Sequence, residues 1–379
     1  MNTRSTLKGV HADAGSLTLQ WADGRVSRFA SIWLRDNQPG QRDAHSGQRL
    51  IDVADLPPAP RIRMASVQAG AVQIHWEHES QGAAFDVDWL AEHAADAPLG
   101  HTMRSWIGGN LDAARDFAWL ALPRARKDAA QRLLWLNRLL SDGIAFLSDV
   151  PAAEGAILDA MSWVGRVAET NYGLVFDVRS VAQPENLAYS DLGLGLHTDN
   201  PYREPVPGFQ ALHVLTAATD GGESLFADGL ALAAQLRRDD GEAFTLLTRT
   251  PVPFKYQSKD ADLYAERPLI QLSCDGAVTG VHYNNRSVAP LRLAAAETQA
   301  FYAAYRRFAL LLREPQFQLK LAMRAGDLVL FDNQRILHGR TPFSSANSAR
   351  HLRGCYLTRD SVYSGAALLL RQLGAERSA

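Results

Sequence analysis

His197, Thr198 and Asp199 form a His-x-Asp pair set among apolar residues, and another histidine, His338, lies far downstream. A His-x-Asp pair alone is common and names no chemistry. With His338 it supplies two imidazoles and one carboxylate, the donor set that holds a non-haem Fe(II) ion by one face and leaves three adjacent positions open. Residues two apart on a strand share a face, so a strand through 197–199 would aim both donors into one cavity. Arg350 follows His338 by twelve residues, past a turn over Thr341 to Ser348. A guanidinium carried back beside the metal can clasp the carboxylate of an acidic co-substrate bidentately.

These residues need a scaffold of strands. His338 follows Leu328 to Phe331, read as a buried strand, and Arg350 precedes another at His351 to Tyr356. Further β-like runs are Ile144 to Leu147, Leu174 to Val178, Phe209 to Leu215, Ser224 to Ala227, Val252 to Tyr256, Leu269 to Leu272, Val278 to Tyr283 and Phe317 to Leu321. Helices are expected over Ala129 to Leu140, Glu154 to Val167, near Leu230 to Arg237, over Ala296 to Leu312 and around Ala366 to Leu373. Phe301, Tyr305, Phe308 and Leu312 form a core-facing stripe. Short strands broken by Gly and Pro, with helices outside, predict an α+β protein built on a double-stranded β-helix, or jelly roll.

The first hundred residues read differently. A weak internal repeat runs through Leu17, Leu19, Trp21, Phe29 and Trp33-Leu34, then again through Val72, Ile74, Trp76, Phe85 and Trp89-Leu90. Each copy alternates into a Trp, turns, and returns through a Phe, which predicts two small antiparallel β units. A small β-rich domain is therefore expected over 1–100 and the jelly roll over 120–379, with the junction between Ala97 and Arg126. His75 and His78 fall on opposite faces of any continuous strand and read as surface residues.

Composition narrows the partners. A chain of 379 residues, 46% hydrophobic, can bury a full core, while a net charge of −2 without Lys/Arg blocks argues against nucleic acid. Two cysteines, Cys274 and Cys355, build neither a disulfide framework nor a thiolate zinc cluster, and no apolar run reaches membrane-span length. A small-molecule substrate, no membrane and a cytoplasmic location are the expectations.

The motifs Asn171-Tyr172-Gly173, Asn186-Leu187-Ala188-Tyr189, His197-Thr198-Asp199, Pro207 to His213, Gly221 to Ser224, Phe331-Asp332-Asn333, His338-Gly339-Arg340 and Arg350 to Gly354 resemble the γ-butyrobetaine hydroxylase family of Fe(II)/2-oxoglutarate dioxygenases. The likeness extends over essentially the whole chain. It implies that His197, Asp199 and His338 bind Fe(II) and that Arg350, with Leu212, holds 2-oxoglutarate, O2 being the other co-substrate. Arg340 and Arg353 are the candidates to assist Arg350. A homodimer is implied as well.

Two departures from the family pattern bear on function. Many members bind zinc through three cysteines after the Arg-Asp-Asn motif; here those positions are Gln38, Gly40 and Asp43, with His78 about where a fourth ligand would stand, so no structural zinc is expected. Tyr172, Phe176, Tyr189 and Tyr356 match the aromatic box that holds a trimethylammonium group, Phe176 standing where the vertebrate enzymes have Trp. Asn186 and Asn285 match residues that meet the substrate carboxylate. Asn200, Tyr202 and Arg286 add donors and a cation, with Arg203 close behind, and they suit a more highly charged tetrahedral group. The leading expectation is hydroxylation of 2-(trimethylammonio)ethylphosphonate at C1, releasing succinate and CO2; the alternative is γ-butyrobetaine, giving L-carnitine. A taurine-type sulfonate dioxygenase is disfavoured by the ring positions, and a non-catalytic jelly-roll binding protein by the intact triad.

Overall fold

The computed structural model describes residues 5–95, 103–179, 193–343 and 350–378. The chain divides into two compact units, Met1–Gly100 and His101–Ala379.

The first unit contains the repeat. Strands β1 (Leu7–Asp13), β2 (Ser16–Trp21) and β3 (Val26–Ala30) form one antiparallel sheet; β4 (Ile62–Gln68), β5 (Ala71–Trp76) and β6 (Gly82–Asp86) form the other. The alternation read from the sequence buries Leu17, Leu19 and Trp21 in one copy and Val72, Ile74 and Trp76 in the other. Each copy also ends in a short helix, Ser31–Asp36 or Val87–Glu92, which the strand-only reading did not include. Those helices bring Trp33 and Trp89 together with ring centroids 5.5 Å apart. His78 is exposed in the turn after β5, with φ 66°.

The second unit is a jelly roll. Its strands begin with β7 (Trp119–Ala121), β8 (Ile144–Ser148), β9 (Val167–Ala168), β10 (Phe176–Arg179), β11 (Leu194–His197), β12 (Phe209–Thr216) and β13 (Ser224–Asp228). They continue with β14 (Val252–Gln257), β15 (Asp262–Arg267), β16 (Ile270–Leu272), β17 (Val278–Val281), β18 (Leu319–Leu321), β19 (Leu328–Asp332), β20 (Ile336–Arg340) and β21 (His351–Leu357). The larger sheet has the order β10-β21-β12-β19-β8-β7, with β9 also on β21; the smaller has β11-β20-β13-β18. All pairs are antiparallel except β7 with β8.

Side-chain alternation sorts the layers. On β12, Phe209 and Ala211 pack outward against helices Ala129–Asp142, Ala156–Met161 and Arg359–Ser378, while Leu212 and Val214 face the other sheet. Phe146, Phe226, Val329 and Phe331 fill the space between the sheets. Beyond the smaller sheet, Leu196 and Leu337 meet helices Gly229–Asp239, Gly241–Arg249 and Ala295–Leu311, where Phe301, Tyr305 and Phe308 are buried as their spacing predicts.

Several boundaries differ from expectation. The helix read over Glu154 to Val167 is confined to Ala156–Met161, because Val167–Ala168 leaves it to pair with Tyr356 and Leu357. The run Phe317 to Leu321 divides into a 3-10 turn, Pro315–Phe317, and β18. Helix Gly241–Arg249 and strand β15 were not read at all.

Candidate active site

Strand β20 turns Leu337 outward and His338 and Arg340 inward, two residues apart on one face. Its neighbour β11 pairs His197 directly with His338, and the two imidazole centroids lie 4.4 Å apart. Asp199 does not share that strand: β11 ends at His197, and Asp199 enters the cavity from the following turn. The backbone there is clamped instead. Asp199 N–H donates to Asn333 Oδ1 at 2.7 Å, Asn333 Nδ2 returns a bond to the Asp199 carbonyl at 3.0 Å, and Thr198 is held by Tyr283 and Asn284. A same-face strand pair is thus replaced by a hydrogen-bonded turn with the same result.

His197, Asp199 and His338 are the group of metal-ligating side chains found among the described residues, their ligand atoms all within 4.8 Å of one another. His197 Nε2 is 3.2 Å from Asp199 Oδ1, and His338 Nε2 is 3.8 Å from Oδ2. His197 Nδ1 lies 2.9 Å from the Gly195 carbonyl, which fixes the ring proton there and leaves Nε2 as the free lone pair. His338 Nδ1 is buried with no hydrogen-bond partner among the described residues, so that ring is not consumed by the protein's own network.

Electrostatics keep the donors ready for a cation. Burial would raise the Asp199 carboxyl, but His338, His197 and the Tyr356 hydroxyl outweigh it and hold the group well below the usual carboxylate range. Burial, reinforced by His197, pushes His338 down to about 3, so it is a neutral ligand at ordinary pH. Two imidazoles and a carboxylate on one side of a cavity fit Fe(II).

The triad opens into a cavity of about 410 Å³. Its lining includes Arg350, Arg340 and Leu212. Burial and the neighbouring Arg340 lower the Arg350 guanidinium to about 10, so an incoming carboxylate relieves a strained cation. Arg353 belongs elsewhere, bonded to Asp177 and Glu154. Gln210, also on the wall, is 2% exposed with Oε1 unpartnered among the described residues.

Much of the lining is aromatic. Tyr172, Phe176 and Tyr356 belong to it as expected, with Phe176 and Tyr356 5.1 Å apart. Two rings join them: Tyr202, expected as an anion donor, stacks on Tyr256 at 5.2 Å, and Tyr172 lies 6.1 Å from Tyr256. Tyr256 comes from β14, which also places Lys255 on the wall. The β-like run read over Val252 to Tyr256 could not tell a cavity from solvent. Asn186 and Tyr189 lie outside the described residues.

The expected anion donors divide. Arg286 lines the cavity near Asp199 and Tyr202; desolvation lowers its guanidinium below the usual value and the Asp199 carboxylate partly offsets this. Asn200 reaches the wall but is engaged on both sides, donating to Tyr356 Oη and accepting from Tyr202 Oη. Asn285 is corrected: it is exposed and accepts from Tyr305 Oη, while its neighbour Asn284 lines the cavity. Arg203 backs the site instead of facing it, 5.9 Å from the Tyr172 ring centroid and 6.0 Å from that of Tyr202.

Residues 114–356 match the model of the family described as taurine catabolism dioxygenase TauD, TfdA family, and residues 9–91 match the γ-butyrobetaine hydroxylase-like N-terminal model. A γ-butyrobetaine dioxygenase of Pseudomonas sp. (strain AK-1) is 34% identical over 375 residues, covering 97% of each chain. The γ-butyrobetaine dioxygenase of Homo sapiens is 27% identical over 386 residues, 97% of this chain and 96% of that one. A taurine dioxygenase structure from Burkholderia xenovorans shares the fold, with TM-score 0.50 at 15% identity over 67% of this chain and 90% of its own.

Proposed function

The chain belongs to the TauD, TfdA family and carries a γ-butyrobetaine hydroxylase-like N-terminal domain, and from that premise we propose that it hydroxylates a small trimethylammonium carboxylate, γ-butyrobetaine or a close analogue. It is an Fe(II)/2-oxoglutarate-dependent dioxygenase. In the reading proposed here His197, Asp199 and His338 hold the metal, and Arg350, beside Leu212 and Arg340, receives the far carboxylate of 2-oxoglutarate. Iron, 2-oxoglutarate and O2 together supply the oxidant that replaces an unactivated C–H by C–OH, with succinate and CO2 released.

The observation that carries the substrate reading is the gathering of Tyr172, Phe176, Tyr202, Tyr256 and Tyr356 on the cavity that contains the triad. A quaternary ammonium donates no hydrogen bonds and is held by ring faces. A primary ammonium, as in taurine, would need acceptors in their place. Neither a nucleic acid nor a membrane figures in this chemistry, and no described helix is long and apolar enough to cross a membrane.

For the anionic end, the relatives named γ-butyrobetaine dioxygenase support a carboxylate over the phosphonate expected from the sequence. The geometry supports the same choice. Tyr202 donates to Asn200 and Asn200 donates to Tyr356, so two of the extra donors that favoured a phosphonate are already engaged within the protein. Arg286, with Lys255 on the same wall, is the observation that favours the phosphonate as a second reading. The test is anaerobic loading with Fe(II) and 2-oxoglutarate, then oxygen with each substrate in turn, measuring hydroxylated product and succinate together. One-to-one coupling with γ-butyrobetaine is expected; coupled turnover of 2-(trimethylammonio)ethylphosphonate alone would replace the carboxylate reading by the phosphonate.

A further inference from the structure

Between the rings and the Asp199 carboxylate runs an unbroken line of hydrogen bonds that all point one way. Tyr202 Oη donates to Asn200 Oδ1 at 2.6 Å, Asn200 Nδ2 donates to Tyr356 Oη at 3.1 Å, and Tyr356 Oη donates to Asp199 Oδ2 at 2.8 Å. Tyr172 Oη stands 3.5 Å from Tyr202 Oη and extends the line to a fifth side chain. The direction is dictated by chemistry. A carboxylate only accepts, so the single Tyr356 proton goes to Asp199, and Tyr356 must accept from Asn200. That orients the amide, NH2 toward Tyr356 and oxygen toward Tyr202.

Asn200 is the hinge of this line. It is 6% exposed, and its φ of 54° lies in the left-handed region, which Asn tolerates better than other side-chain-bearing residues. Its two neighbours in the line, Tyr202 and Tyr356, are 6% and 4% exposed. Water therefore has little access to repair a missing link. Every member of the line except Asn200 either lines the aromatic wall or is a triad ligand.

We propose that Asn200 is a positioning residue that couples the aromatic wall to Asp199, so that filling the wall with a quaternary ammonium group shifts the carboxylate and the ligand arrangement of the metal. The proposal rests on the aromatic wall being the ammonium site, as argued above. A ring displaced by the ligand moves its hydroxyl, and the amide, bonded on both sides, carries that displacement to Tyr356 and on to the carboxylate.

The test uses the full chain loaded anaerobically with Fe(II) and 2-oxoglutarate and titrated with tetramethylammonium chloride, which fills a ring cage but carries no anion. Visible absorption of the Fe(II)–2-oxoglutarate complex reports on the metal, and calorimetry reports binding independently. In the wild-type chain the absorption band is expected to move as the probe saturates. Asn200→Gly keeps the positive φ and removes the amide. It should weaken the probe by about fivefold, the effect of one neutral hydrogen bond, and abolish the band movement at saturation. Asn200→Asp tolerates the same backbone but cannot donate to Tyr356; it should also abolish the movement, and it carries the test should Asn200→Gly not fold. A full wild-type band movement in either variant overturns the proposal. So does calorimetric binding to the wild type without band movement, which leaves the aromatic site standing. No calorimetric binding at all overturns the ammonium site itself, and the coupling with it.

Discussion

Gly354→Ala tests the aromatic wall through one methyl group. Gly354 on β21 is the cross-strand partner of Phe176 on β10. A Cβ at 354 would overlap ring atoms Cε2 and Cζ of Phe176 and lie 3.1 Å from Cδ2, so the ring must leave its place. Overpacking of this kind costs about 1–3 kcal/mol of stability. Loss of one ring from a cation site costs about 0.5–2 kcal/mol, or roughly a 2- to 30-fold rise in KM for γ-butyrobetaine. The KM for 2-oxoglutarate should change less than that for γ-butyrobetaine, since Arg350 is four residues from Gly354 and the atoms nearest the added methyl belong to Phe176 and not to Leu212, the other cross-strand partner of Gly354. Initial rates with each substrate varied, alongside thermal unfolding, measure both. Adding Phe176→Leu should restore stability and leave KM for γ-butyrobetaine high. A lowered unfolding midpoint with unchanged KM would refute the reasoning, because Phe176 would then be packing and not part of the site.

The remaining expectations use other parts of the site. Burial pushes both His338 and His282 down to about 3 from an ordinary 6.5, so between those values the unfolded chain binds more protons than the folded one. Stability of the metal-free protein should therefore fall as pH drops from about 6.5 toward 3, by up to about 1.4 kcal/mol per pH unit for each histidine; Asp199, held low, adds its own loss only at more acidic pH. Urea midpoints that stay flat from pH 7 to pH 4.5 would contradict this. Arg350→Ala should raise KM for 2-oxoglutarate by at least about thirtyfold, the lower end of truncating one partner of a buried charge pair, with KM for γ-butyrobetaine little changed; equal rises would place Arg350 in a different role. Metal analysis of the reconstituted chain should find one iron and no zinc, and His338→Ala should lose the iron; stoichiometric zinc would show that Gln38, Gly40 and Asp43 do not prevent a structural site.

What the sequence made legible follows from burial. Strands with one face in the core announce themselves by alternation, as β2 and β5 do with Trp21 and Trp76, whereas β15 exposes every second residue and half-buries the rest. Helix Gly241–Arg249 was hidden because Asp239-Asp240-Gly241 looks like a break. Asp240 is in fact its N-cap, its side chain accepting from Ala243 N–H. In the site, His197, Asp199, His338, Arg350 and three of the rings were readable because their types are informative wherever they sit. Asn284, facing the cavity where Asn285 was expected, was not, since orientation within a turn has no period. Tyr256 escaped for a related reason: a β-like run gives a strand two faces but does not say that one of them looks into a cavity.

The same strands explain how chemistry and specificity are separated. On β20, His338 and Arg340 are two residues apart; on β21, Tyr356 lies six residues beyond Arg350, roughly 20 Å along an extended chain. His197 and His338 are thus carried by paired strands of the barrel, Asp199 by a turn clamped to Asn333, and Arg350 immediately precedes β21, so backbone geometry sets its spacing from Tyr356. Arg286 and Lys255, by contrast, come from the 284–287 turn and strand β14, which are joined to each other by a Lys255 N–H bond to the Ser287 carbonyl and lie outside both main sheets. Substitutions there can change which anion the cavity accepts without moving a ligand atom. That is why the triad and Arg350 identify the reaction with so few residues, while the choice between a carboxylate and a phosphonate turns on how one turn and one short strand present their two cations.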